Sequence, residues 1–164
     1  MAVYLRVRLT RLVIRRATLL HVVERVLSAV GESRSELSLE LIGDTRMRRL
    51  NREYRKKDRS TDVLAFSIRE AVMPRGMRPA TEMLGDVVIS FPTAVRQAKE
   101  AGRSIDDELA MLLVHGVLHL CGYDHERNQR EAARMSRRER ALLHLLSPVP
   151  HIVMFHTERQ TRGR

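Results

Sequence analysis

The sequence predicts a compact α/β (α+β) domain, with four strands and about five helices around one core. Three observations carry that expectation. Segments in which apolar and polar residues alternate are interleaved with segments whose apolar residues recur at helical spacing. The chain has 164 residues and 43% hydrophobic content, which suits a single core. Aromatic residues are scarce, with no Trp, three Tyr and three Phe, so that core must be built from Leu, Val, Ile, Ala and Met.

Taken in order, residues 3–9 (VYLRVRL) alternate and read as the first strand. From about residue 15 to 30, Leu19, Val22, Val23, Val26 and Leu27 share one helical face, and Gly31 is the stop. ELSLELIG, 36–43, alternates again as a second strand. DTRMRRLNREY, 44–54, forms a strongly basic helix with Asp44 as its N-cap. TDVLAFSI, 61–68, is a third strand, and residues 69–83, with Pro74, Gly76 and Pro79, read as a loop. GDVVISF, 85–91, is the fourth strand. PTAVRQAKEAG follows as a short helix, with Pro92 near its first turn and Gly102 as its stop. Ser104 and Asp107 open another helix in the manner of a capping box, and it runs to about Cys121 before Gly122 breaks it. A last amphipathic helix, about 127–146, ends before Pro148 and Pro150. No internal repeat or domain boundary is visible. The expected domain is 1–146, with 147–164 a loose basic tail.

Net charge is +10, from 30 Lys and Arg against 20 Asp and Glu. That excess favours a polyanionic partner, most simply nucleic acid. No apolar run is long enough to span a bilayer and no lipidation motif is present, so no membrane partner is expected. The start, MAVYLRVRL, is interrupted by Arg6 and Arg8 and lacks the apolar block of a signal peptide. The lone cysteine, Cys121, excludes an intrachain disulfide framework. A reducing cytosol is the expected location.

The most informative stretch is LAMLLVHGVLHL, 109–120, apolar or Gly throughout except for two histidines. A helix apolar nearly all round is a buried helix. Imidazoles there need partners, because an unsatisfied buried polar group costs about 1–3 kcal/mol. His115 and His119 are four apart and project from one face, about 5–6 Å between Cβ atoms. Gly122 lets the chain turn so that His125 folds back as a third ligand. Three neutral imidazoles with one open position describe a catalytic zinc site better than a structural one. Cys121, one step beyond Leu120, reads as a small buried hydrophobe rather than a fourth ligand. His21, His144, His151 and His156 show no comparable spacing and read as ordinary surface or core residues.

The spacing matches the metzincin pattern H-E-x-x-H-x-x-G-x-x-H at all three histidines and at the glycine, but Gly116 stands where that pattern has its general-base glutamate. Glycine can neither take a proton from water nor pass one to a leaving amine, which argues against peptide hydrolysis. HGVLHLCGYDH at 115–125, NREYRKKDRSTDVLAFS at 51–67 and LGDVVIS at 84–90 together resemble the YbeY family of endoribonucleases. The resemblance spans roughly residues 36–146 and departs at Ala65, where the family commonly has Ser, a change expected to bear on strand packing. It implies a compact α/β fold with a mixed four-stranded sheet and zinc held by the three motif histidines. It implies cleavage of single-stranded RNA, in maturation of the small-subunit (16S) ribosomal RNA 3′ end and ribosome quality control, with the small ribosomal subunit as partner.

Between 44 and 59 stand Arg46, Arg48, Arg49, Arg52, Arg55, Lys56, Lys57 and Arg59. Most suit a solvated face, and as a set they suit phosphate contacts. Arg55 matches the arginine of the family's N-x-x-Y-R block, where a guanidinium would offset charge on a phosphate. The expected site is Arg55 and His115 as catalytic residues, with His115, His119 and His125 holding one Zn2+ per chain. Asp124 and Glu126 flank His125 and leave the general base open; Asp86 or Asp124 could orient a ligand histidine. Two other classes remain. A metallopeptidase or amidase is favoured by the histidine spacing. A non-catalytic RNA- or ribosome-binding protein with structural zinc would explain the charge.

Overall fold

The computed structural model describes residues 2–68 and 83–156. In chain order the elements are β1 (Val3–Val7), β2 (Leu12–Ile14), α1 (Arg16–Ala29), β3 (Glu36–Ile42), α2 (Asp44–Arg55), β4 (Val63–Ser67) and β5 (Met83–Ser90). Then follow α3 (Phe91–Ala101), α4 (Ile105–Leu120), α5 (Gln129–Leu146) and β6 (Val153–His156). The loop expected at 69–83 lies, but for Met83, outside the described residues, as does the chain after His156.

Four strands form the mixed sheet in the order β1-β3-β5-β4. β1 pairs with β3, and β3 with β5, in parallel, while β4 runs antiparallel to β5. Alternation along the strands sorts side chains between two unequal faces. Leu37, Leu39 and Leu41 of β3 and Val87 and Ile89 of β5 enter the main core, with α1 and α4. Val88 of β5, with Ile42 and Leu64, faces the other way onto Met47 of α2 in a smaller cluster. All five α1 residues expected to share a face are buried.

The helix ends follow local chemistry, with one correction. α2 begins after Gly43, and Asp44 makes no side-chain cap. Its carboxylate instead accepts hydrogen bonds from Ser60, Ser90 and Thr93 at 3.1, 2.7 and 2.7 Å and pairs with Arg96 at 2.9 Å. Four partners from two other segments compete better for it than the backbone of its own first turn. Ser104 caps α4, its hydroxyl accepting from the Asp107 N–H at 3.0 Å, as the sequence indicates.

A second sheet was not expected. β2 and β6 pair antiparallel, Leu12 opposite His156 and Val13 opposite Phe155. The loose tail expected from 147 is therefore corrected over 151–156. Buried Asp106, in the first turn of α4, accepts from the backbone N–H of Ile152 and Val153 at 2.9 and 2.8 Å and bonds the His151 ring at 2.9 Å. A three-residue strand and a four-residue one carry too little periodicity to be read from sequence.

Candidate metal centre and cleft

α4 packs against β4, β5, α1, α3 and α5, so it runs through the middle of the molecule. Leu109, Leu112, Leu113, Val114, Val117 and Leu118 are buried around it, which fixes the rotation that presents His115 and His119. Gly116 is part of that seat. A Cβ there would lie 2.8 Å from Val87 Cγ1 and 3.2 Å from Cγ2, inside contact distance of a stiff, fully buried β-branched side chain. The position where a peptidase carries its glutamate is thus the line along which the helix touches the sheet. Glycine here answers a packing requirement as well as a chemical one.

After Leu120 the chain turns. The N–H groups of Cys121 and Gly122 bond back to the last helical carbonyls, and the Tyr123 N–H reaches Leu118 O at 3.1 Å. Gly122 takes φ +94°, a conformation that side chains rarely adopt. This reversal returns His125 to the helix. Ring centroids stand 4.6 Å apart for His115 and His119, 5.2 Å for His115 and His125, and 5.1 Å for His119 and His125. One ring nitrogen from each lies within 4.8 Å of the others, close enough for one ion to take all three. His115 Nε2 and His119 Nε2 are 3.0 Å apart.

The donor set fits a divalent metal. Burial, and then repulsion from His115 and His125, holds the pKa of His119 below its ordinary value, so that it stays in the neutral, ligating form. Its ring also hydrogen-bonds the Tyr123 backbone. His115 Nδ1 lies 2.6 Å from Glu139 Oε1 on α5. Glu139 is not among the residues singled out from sequence. The contact spans 24 positions, and an acid inside RRERALL carries no local sign of it. Cys121, expected to be buried, is half-buried; it packs against the main core and is not one of the converging ligands.

The expected orienting residues fare differently. Asp86 lies on the opposite face of the sheet, in a groove with Tyr4 and Glu40, because β5 alternation turns its neighbour Val87 towards α4. That corrects its candidacy. Asp124 does line the site, but its Oδ1 accepts the Glu126 N–H at 2.9 Å. Glu126 is 4.0 Å from His125 Nε2.

The histidines sit in a cleft of about 660 Å³ that Arg55, Lys57, Arg59 and Arg127 also line. Arg55 ends α2, is exposed, and donates one hydrogen bond to the Ala65 carbonyl at 3.2 Å. The rest of the basic segment divides. Arg48 forms a two-pronged pair with Asp58 at 2.9 and 3.1 Å, Arg52 lies 3.8 Å from the same carboxylate, and Arg46 is 3.5 Å from Glu40. The loop that carries Lys57 and Arg59 is shaped by buried Asn51, whose amide donates to the Arg59 carbonyl at 2.8 Å, and by Lys56 at φ +59°. Asp44 holds its far end through Ser60. Burial alone would raise the pKa of Asp44, but hydrogen bonds from Arg96, Ser90, Thr93 and Ser60 outweigh it and hold the carboxyl at about 2.

Comparison with known proteins agrees with this geometry. The family described as Endoribonuclease YbeY matches residues 8–147. The Endoribonuclease YbeY of Geobacter metallireducens is 49% identical over 76% of this chain and 82% of its own length. That of Myxococcus xanthus is 55% identical over 66% of this chain but only 35% of its own, longer sequence. The solution structure of TM1509 from Thermotoga maritima shares the fold, with a TM-score of 0.57 at 21% identity over 86% of each chain. Sequence match and histidine geometry converge, and this chain belongs to the YbeY endoribonuclease family.

Proposed function

We propose that the chain is a metal-dependent endoribonuclease that cuts single-stranded RNA, with one zinc ion per chain held by His115, His119 and His125. The observation that carries the reading is that three convergent imidazoles and four basic side chains line one cleft. Such a site suits a phosphodiester, whose negative charge grows as the bond is attacked. A divalent ion bound there supplies Lewis acidity and makes water a better nucleophile near neutral pH.

The remaining work belongs to the protein. Arg55 has five N–H donors and spends one on Ala65, so the others are available for phosphate oxygens. Lys57 and Arg59 hold the flanking backbone. Asp62, Asp124 and Glu126 are the carboxylates that line the cleft, and they leave the general base open. The peptidase alternative is opposed by Gly116, whose missing side chain would point at Val87. By the same reading, the substrate is the small-subunit (16S) ribosomal RNA 3′ end, the small subunit is the partner and the cytosol is the place of work. The catalytic unit is residues 1–146 together with the 151–156 segment that packs onto it. No helix among the described residues is long and apolar enough to cross a membrane.

The test is purified protein loaded with Zn2+, offered single-stranded RNA, duplex RNA and casein. Cleavage is expected of the single strand alone. Casein hydrolysis without RNA cleavage would overturn the reading.

A further inference from the structure

We infer that Glu139 is the positioning residue of the histidine centre, fixing the His115 ring with its proton on Nδ1 and its Nε2 turned towards the metal position. This deepens the reading above and rests on it. A carboxylate can only accept, so the proton in the 2.6 Å contact belongs to His115 Nδ1. The lone pair then falls on Nε2, the atom that stands 3.0 Å from His119 Nε2. A carboxylate on the outer nitrogen of a ligating imidazole sets its tautomer, holds its plane and raises its basicity.

Nothing on its own helix accounts for Glu139. The positions three and four residues away are Met135, Ser136, Leu142 and Leu143, and none is a cation that could pair with it. Its neighbour Arg138 is turned away, donating to the Ala29 carbonyl at 2.7 Å. The other acid of α5, Glu131, lies in the first turn, 3.4 Å from Arg134. Both Glu139 and His115 are about 30% exposed, so water does not fully screen the pair.

The three histidines are therefore held unequally. His115 is bound to a carboxylate of α5, and His119 to the backbone of the turn that follows α4. His125 is exposed, with its nearest carboxylate among the described residues 4.0 Å away. Among the described residues, Glu139 is the one acid hydrogen-bonded to a ligand ring.

Zn2+ affinity of the full chain, measured by competition with a chromophoric chelator, tests the assignment. Glu139→Ala is expected to weaken binding by about 10–100-fold. Glu139→Gln, which keeps an accepting oxygen but no charge, should fall between it and the unmodified chain, and Glu53→Gln on exposed α2 should change nothing. A long-range nitrogen–proton correlation spectrum of the unmodified chain should show His115 as the Nδ1–H tautomer. Unchanged affinity in a folded Glu139→Ala protein, or His115 protonated on Nε2, overturns the inference. Should Glu139→Ala not fold, the spectrum of the unmodified chain decides. An unmodified chain that binds no Zn2+ would sink the metal centre itself, whereas equal binding by both proteins would sink only the role of Glu139.

Discussion

On one wall of the cleft, His115 and His119 stand on a helix buried on its other sides, with their outer ring atoms held by Glu139 and Tyr123. On the other wall, Arg55, Lys57 and Arg59 stand on an exposed helix end and the loop beyond it. The first wall is set by packing, where shape is expensive to alter. The second is set by hydrogen bonds and ion pairs at the surface, where side chains are free to meet a polymer. On the proposed function this is a division of labour: the buried wall fixes where the metal sits, and the exposed wall meets the phosphates of the substrate.

The largest effect should come from breaking the first wall. His115→Ala with His119→Ala should remove the bound metal by elemental analysis and reduce RNA cleavage to background. Full metal stoichiometry in that double variant would refute the site. On the second wall, Arg55→Ala should lower the cleavage rate by about 10²-fold, as for loss of one donor to a developing charge. Its melting temperature should barely move, since the lost hydrogen bond is exposed. Early unfolding with normal cleavage would make Arg55 structural.

Two stability measurements then compare how the walls are seated. Gly116→Ala should cost about 1–3 kcal/mol in urea denaturation, the usual penalty for overpacking, because the new methyl meets Val87. Gly116→Glu would meet the same clash, so its loss of activity would not by itself report on charge. Asp44 anchors the other wall. Its folded pKa of about 2 lies below the ordinary 3.8, so its contribution is fully present above about pH 4 and lost as pH falls through 2. Discounted for its one-third exposure, that contribution is about 1–2 kcal/mol. The stability gap between the unmodified chain and Asp44→Asn should close over that window; a constant gap would show that the carboxyl's charge plays no part.

The smallest effect is the most discriminating. If all eight Lys and Arg residues from 46 to 59 met phosphates, log K for single-stranded RNA against log salt would have a slope of about −6, at roughly 0.7 per contact. With only Arg55, Lys57 and Arg59 of that segment in the cleft, together with Arg127, the slope should be about −3. Lys57→Ala should remove about 0.7 of it. A slope near −6 would return the ion-paired arginines to the binding track.

Much of this was legible in the sequence, for identifiable reasons. Four strands and five helices of the described residues stand where alternation and helical spacing put them, because each buries a face long enough to leave a period. The three histidines were legible because two of them share one helix and the third is a single turn away. Glu139 was not, since its partner comes from another helix and its sequence neighbours are arginines. Nor was the unequal use of the basic segment, which depends on where Asp58 and Glu40 fall in space. Gly116 was read for the carboxylate it lacks, and the space it occupies against Val87 emerges only when helix and sheet are brought together.

The small β2–β6 sheet has a consequence in time rather than in space. Leu12–Ile14 are made early in synthesis, but their partner, Val153–His156, emerges only after every other described element. Closing so long a loop carries a large entropic cost until the core has already drawn its ends together. Until then Asp106, at the head of the histidine helix, lacks the two backbone donors it later receives. A nascent chain should therefore acquire its sheet and its histidine cluster before its clasp, and hydrogen exchange at Val153 during refolding should be among the last to slow.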